Sequence, residues 1–345
     1  MGQRRAYVGL LAAVCLWAGG AAAWAQGAPA SPTPPPGSGE RIVEWDIPQI
    51  STLPDDEFGR LVRFGRSVLE ATYAHVGPAV ADPAMRFAGN NLACGNCHLN
   101  DGRKKLGLPL VAADADYPTY SARTARDLTL ADRVNQCMIR SMNGRPMPAD
   151  ARPMQALLAY LAVLSANIPD DAKVSGAGAG QMPELDRAAD PVRGAGIFRA
   201  QCADCHGVEG QGVRRNPVDA ALGYGVPPLW GPDSFNDGAG MSRLMTLANF
   251  AHNNMPNGTD WLMPLLSPED AWDVAAFVES QSRPALAGLE RDFPDLLRKP
   301  IDAPYGPYAD GFSAAQHKYG PYGPIRAEIA RLKAEKGSVP NPNLK

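Results

Sequence analysis

Beyond residue 50 the apolar positions gather into short helical stripes, separated by long stretches without a period, and the stripes come in two sets. Phe58, Leu61, Phe64 and Val68 recur at helical spacing behind Asp55-Asp56-Glu57, which predicts a helix from there to about Tyr73. Thr129-Leu130-Ala131-Asp132 has the form of a capping box and opens a helix that ends at Asn143-Gly144. Met154, Leu157, Leu158, Leu161 and Leu164 mark another helix from about Ala151 to Asn167. The second set holds a short helix from Pro191 to Ala200 and a closing one through Ser280, capped by Ser267-Pro268-Glu269-Asp270. Between the sets, Ser175-Gly176-Ala177-Gly178-Ala179-Gly180 has no core-forming residue and reads as a linker.

The two ends behave differently. Arg4 and Arg5, an apolar run from Ala6 to about Ala23 and the small-x-small site Ala23-Trp24-Ala25 predict a signal peptide over 1–25, hence export to the periplasm. The proline-rich stretch that follows cannot form a core, so 26–50 is expected to be a tether. The remaining divisions expected are a first domain over 51–172, the linker over 173–186, a second domain over 187–284, and a tail over 285–345. The tail, rich in Pro, Tyr and Gly, has no period for a third core. It is expected to wrap over the second domain, with only a short helix near Ile325 to Lys336.

Charge narrows the chemistry. Removing the signal leaves 31 basic against 36 acidic residues, so no basic field exists to favour nucleic acid. An anionic substrate must be drawn by a local cluster of positive charge. Past the signal no stretch approaches the ~18 uninterrupted apolar residues of a membrane span.

Cysteine carries the strongest signal. Cys94-Gly95-Asn96-Cys97-His98 and Cys202-Ala203-Asp204-Cys205-His206 each read as an attachment site for a c-type haem. Each cysteine adds to one vinyl group, and the adjoining histidine is placed to ligate iron. A zinc ribbon would need four thiolate or imidazole ligands grouped together, and a thioredoxin-like pair has no use for the histidine. Two covalent haem c groups are therefore expected, held by Cys94, Cys97, Cys202 and Cys205, with His98 and His206 on the irons.

An iron that only passes electrons needs a second axial ligand, and the identity of that ligand sets its potential. In the second half Met255, in Asn254-Met255-Pro256, is the leading candidate, with His252 and Met263 competing. In the first half the spacing points to the helix around Cys137. That thiol is the one cysteine left after four serve the haems and Cys15 goes with the signal; Met138, Met142 and Met147 are alternatives, and a merely buried thiol is the bland one. Arg133, Cys137 and Ser141 share a helical stripe, with Arg140 close by.

These residues carry a family resemblance. The first haem motif with Leu99-Asn100, the segment Asp132-Arg133 to Asn143-Gly144, Asn254-Met255-Pro256, Asp270 to Phe277, and the tail strings Asp292-Phe293-Pro294-Asp295 and His317 to Pro321 resemble the dihaem thiosulfate dehydrogenases. The resemblance implies an all-α fold of two cytochrome c-like domains in tandem with a long irregular C-terminal tail. It implies oxidation of two thiosulfates to tetrathionate, or the reverse, at a haem with histidine and cysteine ligands, while a second haem exchanges electrons with a carrier such as another cytochrome c. By motif position the implied active-site groups are Cys137, Arg123, Arg133 and Ser141. Some members have a lysine where this chain has Asn254, next to the ligating methionine. Two dianions must meet sulfur to sulfur, and guanidinium forks from Arg123, Arg126, Arg133 and Arg140 suit sulfonate oxygens. The competing functions are a dihaem carrier without substrate chemistry, which leaves Cys137 unexplained, and a dihaem peroxidase, which needs an open iron site.

Overall fold

The computed structural model describes residues 41–169 and 172–344. The expected signal peptide and the tether up to residue 40 lie outside the described residues.

Two helical cores stand in tandem. In the first, α1 (Glu57–Glu70) crosses α4 (Arg152–Ser165), with α2 (Thr72–Val76) and α3 (Leu130–Arg140) beside them. In the second, α5 (Pro191–Gln201) and α6 (Leu244–Asn254) pack on α7 (Pro268–Ser280). Each core is crossed through a glycine. A Cβ on Gly65 would collide with the Ala156 carbonyl oxygen, and one on Gly194 with that of Asp273, so both crossings bring backbones too close for a side chain. Short strands add only three two-stranded ribbons. Among the described residues no helix is long and apolar enough to cross a membrane.

The helix ends follow the sequence signals. Thr129 Oγ1 accepts from Asp132 N (3.1 Å) and Asp132 Oδ2 accepts from Thr129 N (3.0 Å), closing the capping box of α3. Asp190 caps α5 at Val192 N (2.8 Å), and Ser267 caps α7 at Asp270 N (3.1 Å).

Four expectations need correction. The first helix stops at Glu70 rather than near Tyr73, with Ala71 out of helical geometry. The break lets Thr72 Oγ1 accept from Cys94 N (3.0 Å) and donate to Val68 O (2.7 Å), joining the helix to the first cysteine motif. Residues 41–50 are not a free tether, because Arg41–Val43 pairs in parallel with Ala172–Val174 and Ile50 is buried in the first core. The 173–186 segment is no free spacer, for Gly176 O accepts from Leu106 N (2.8 Å) and Gly178 O from Leu108 N (3.0 Å). Gly176, at φ +70°, leaves no room for a side chain against Lys105 there.

The tail holds more helix than expected, α8 (Ala314–Tyr319) and α9 (Gly323–Lys336). Ile325, Ile329 and Leu332 of α9 enter the second core beside Trp272. Asp302, fully buried, accepts from Arg243 Nε (2.8 Å) and Met245 N (3.2 Å) and fastens the tail to the start of α6. These contacts lay parts of the tail against the second core.

Candidate haem and substrate site

His98 and Cys137 line one cavity of about 320 Å³. Its wall is mainly apolar, from Leu108, Leu110, Val111, Leu130, Val134 and Leu161. The supposed linker supplies part of it through Lys173, Val174, Ala177 and Gly178. The His98 Nδ1–H donates to Leu108 O (2.6 Å), since a carbonyl can only accept, and this leaves Nε2 as the free donor for a metal. Burial, with the Arg133 charge adding to it, holds the His98 imidazole below its usual range, in the neutral form that ligates.

On α3, Arg133 Nη1 donates to Cys137 Sγ at 2.9 Å. The guanidinium thus offers its proton to the sulfur, an arrangement suited to a thiolate. Tyr117, from the irregular stretch before the site, lines the same cavity beside Arg133. Burial pushes the Cys94 and Cys97 thiols up to about 11 and about 12, and the Cys137 sulfur adds to both shifts. Cys137 and His98 thus face the cavity, with Cys94 and Cys97 outside its lining but near enough for the Cys137 sulfur to act on both, and this donor set fits a covalently attached haem. Met138, Met142 and Met147 are instead buried at 1–2 % exposure in the first core, away from the cavity lining.

The other candidates are distributed more widely. Arg126, exposed, pairs with Asp132 (3.3 Å) on the surface. Ser141 ends α3, its amide bonded to Cys137 O (2.8 Å), outside the cavity lining. Arg140 donates to Gly238 O (3.1 Å) of the second domain and to Asp292 Oδ1 (2.8 Å) of the tail. Arg123 lies close to the same Asp292 (3.8 Å), its carbonyl accepts from Phe293 N (2.9 Å), and its guanidinium stands over the Phe293 ring. Burial, then the Arg140 charge, pull Arg123 below the ordinary arginine range. Arg123 Nε is buried without a hydrogen-bond partner. Such a concentration of positive charge fits an anionic guest.

Asp292 was not singled out as a site residue by sequence. It joins Arg140 and Arg123 to Tyr305, whose hydroxyl donates to Asp292 Oδ2 at 2.8 Å. Tyr117 gave no signal beyond preceding a proline.

In the second domain the His206 Nδ1–H donates to Pro227 O (3.0 Å), repeating the His98 arrangement. Phe198, Trp230 and Phe277 form an aromatic group with centroids 5.1–5.7 Å apart. Met255 is half-buried at the end of α6, whereas Met263 is 82 % exposed. His252 is engaged through Nδ1 with Leu266 O (2.9 Å). Among the described residues no group of three or more His, Cys, Asp or Glu side chains is arranged to hold a bare metal ion.

Residues 86–169 match the SoxA/TsdA cytochrome c domain and 191–282 the cytochrome c domain. The chain is 39% identical over 270 residues to the thiosulfate dehydrogenase of Allochromatium vinosum, covering 76% of this chain and 92% of that protein. It belongs to the thiosulfate dehydrogenase family. The same family's protein from Thiomonas intermedia is 38% identical over 242 residues, 70% of this chain and 72% of the relative. A solved thiosulfate dehydrogenase (TsdBA) from Marichromatium purpuratum superposes with a TM-score of 0.63 at 32% identity, over 71% of this chain. This chain spans half the length of that solved one. The thiosulfate dehydrogenase architecture here is two tandem cytochrome c domains, each with one covalently bound haem c.

Proposed function

We propose that this exported, periplasmic protein oxidises two thiosulfates to tetrathionate at the first domain and passes the two electrons through the second to an external one-electron carrier. The observation that carries the reading is Cys137 facing the His98 cavity with Arg133 bonded to its sulfur. Cys94, Cys97 and His98 would hold one haem, with Cys137 as a further donor to it; Cys202, Cys205 and His206 would hold the other, with Met255. The haems, when bound, supply the one-electron acceptors of the reaction.

The residues do the rest. Arg133, Arg123 and Lys173 offset the charge of thiosulfate, and guanidinium forks orient its sulfonate so that the outer sulfur faces Cys137. Bond formation between Cys137 Sγ (as thiolate) and that outer sulfur releases two electrons to the one-electron acceptors and leaves a Cys–Sγ–S–SO3 adduct. Attack by a second thiosulfate on the Cys137-bound sulfur then returns the thiolate and releases tetrathionate, with no proton consumed. Apolar walls keep water from the adduct.

At the second haem, Asn254 replaces the lysine of some relatives. It is fully buried, and its amide donates to Leu106 O (2.9 Å) and Phe250 O (3.1 Å), so it brings no amine to the iron. Met255 remains as the donor. Met255→Gly is expected to abolish the weak near-infrared methionine–iron band and lower the potential of that haem, since a thioether favours the ferrous state. Survival of the band would transfer the assignment to Met263.

Electron paramagnetic resonance of the oxidised holoprotein tests the whole reading. It should show a thiolate-ligated low-spin haem, and thiosulfate should reduce the protein with one tetrathionate formed per two electrons. Two ordinary histidine/methionine haems and no reduction would return the chain to the carrier function.

A further inference from the structure

Between α6 and α7 the chain turns four large apolar side chains outward within five positions. Trp261 is 40 %, Leu262 68 %, Met263 82 % and Leu265 64 % exposed. Single exposed apolar residues are ordinary, but a contiguous group marks a contact surface. The loop that carries them is firmly built. Thr259 N donates to Pro256 O (3.0 Å), Leu262 N to Asp260 Oδ1 (2.9 Å) and Met263 N to Asp260 O (2.9 Å). Lys104 Nζ from the first domain donates to Thr259 O (3.2 Å). At its far end Leu266 O accepts from His252, less than one turn before Met255 on α6. The loop therefore leaves α6 at Met255 and is tied back to the same helix end.

We propose that this loop is the docking surface for the electron acceptor, a small one-electron carrier protein whose apolar contact zone is ringed by Lys and Arg. The inference rests on the dehydrogenase reading above and adds the place where electrons leave. Three observations choose this occupant. The patch stands at the helix end that bears Met255, the donor assigned to the electron-transferring haem. The exposed charges on its border, Asp260 within the loop and Glu269 just after it, are acidic, while the half-buried Lys104 ammonium is turned onto Thr259 O, so a basic rim is complementary. The reaction also releases two electrons for each tetrathionate, and a one-electron carrier must bind, leave and be replaced between them. A small apolar patch with a charged border suits that exchange, because transient redox contacts fall below ~1,200 Å² and gain on-rate from steering. The same acidic border disfavours an anionic membrane surface.

The test compares two acceptors on the holoprotein carrying Leu262→Ser and Leu265→Ser. Both side chains are exposed, so folding and haem content should be unchanged. With basic mitochondrial cytochrome c as acceptor, kcat/KM for the cytochrome should fall about tenfold, as expected for removing central apolar contacts, and the wild-type rate should drop with added salt. With ferricyanide, which needs no docking surface, thiosulfate oxidation should be unaltered. Equal kcat/KM for the cytochrome in wild type and variant would overturn the proposal. So would a wild-type dimer that the variant loses in light scattering, which would give the patch to a second copy, or wild-type sedimentation with phosphatidylserine vesicles that the variant loses. Absence of ferricyanide turnover in the wild type would instead count against the dehydrogenase reading itself.

Discussion

Cys137→Ala should bring tetrathionate formation to background while both haems stay attached. The sulfur is half-buried on the wall of the cavity shared with His98, and its one polar contact is with Arg133. Removing it makes a small cavity change of order 1 kcal/mol, far too little to unfold a domain with a core of this size. The chemistry, by contrast, loses its sulfur acceptor outright. With ferricyanide as acceptor and haem content verified, undiminished turnover would sink the mechanism. Met138→Leu is the matched control: it repacks the adjacent core without touching the cavity, and should keep near-normal activity. Arg133→Ala should chiefly weaken thiosulfate binding, by the ~1.5–3 kcal/mol of a charge-assisted contact, or roughly ten- to a hundredfold in kcat/KM.

The second large effect belongs to the tail. Asp292→Ala should lower the melting temperature by roughly 5–10 °C and raise the KM for thiosulfate. Asp292 is the carboxylate set between Arg140 and Arg123, with side-chain exposures of 12 %, 13 % and 23 % respectively. Truncating one partner of a largely buried charge group leaves the others uncompensated and costs ~3 kcal/mol, which converts to that shift for a chain of this size. The repulsion between Arg123 and Arg140 would then act unopposed and shift Arg123, whose charge reaches Arg133 on the cavity wall. Tyr305→Phe removes only the hydroxyl that donates to Asp292 and should cost about 1 kcal/mol, keeping the test informative if the alanine variant folds poorly. Unchanged melting temperature and KM in Asp292→Ala would show that the tail does not organise the site.

The amino-acid sequence by itself determined whatever depends on residues close together in the chain. The two cysteine motifs, the Thr129–Asp132 capping box, and the Asp190 and Ser267 caps were legible because each is a local geometry of one turn. Cys137 was legible by counting alone, as the thiol with no haem to hold. Spacing could not separate it from Met138, Met142 and Met147, because only the packing of α3 and the chain after it against the core decides which side chain faces His98. Three methionines went inward and the cysteine faced the cavity. The tertiary structure also decided the roles of segments whose composition reads as loop. Residues 41–43 and 172–174 order each other by pairing across more than a hundred residues, and Ala177 and Gly178 after them become part of the wall of the site. Asp292 meets Arg140 across 152 residues. A contact of that range leaves no periodic or spacing signal, since its partners are chosen by how the tail wraps and by the need to neutralise buried guanidiniums.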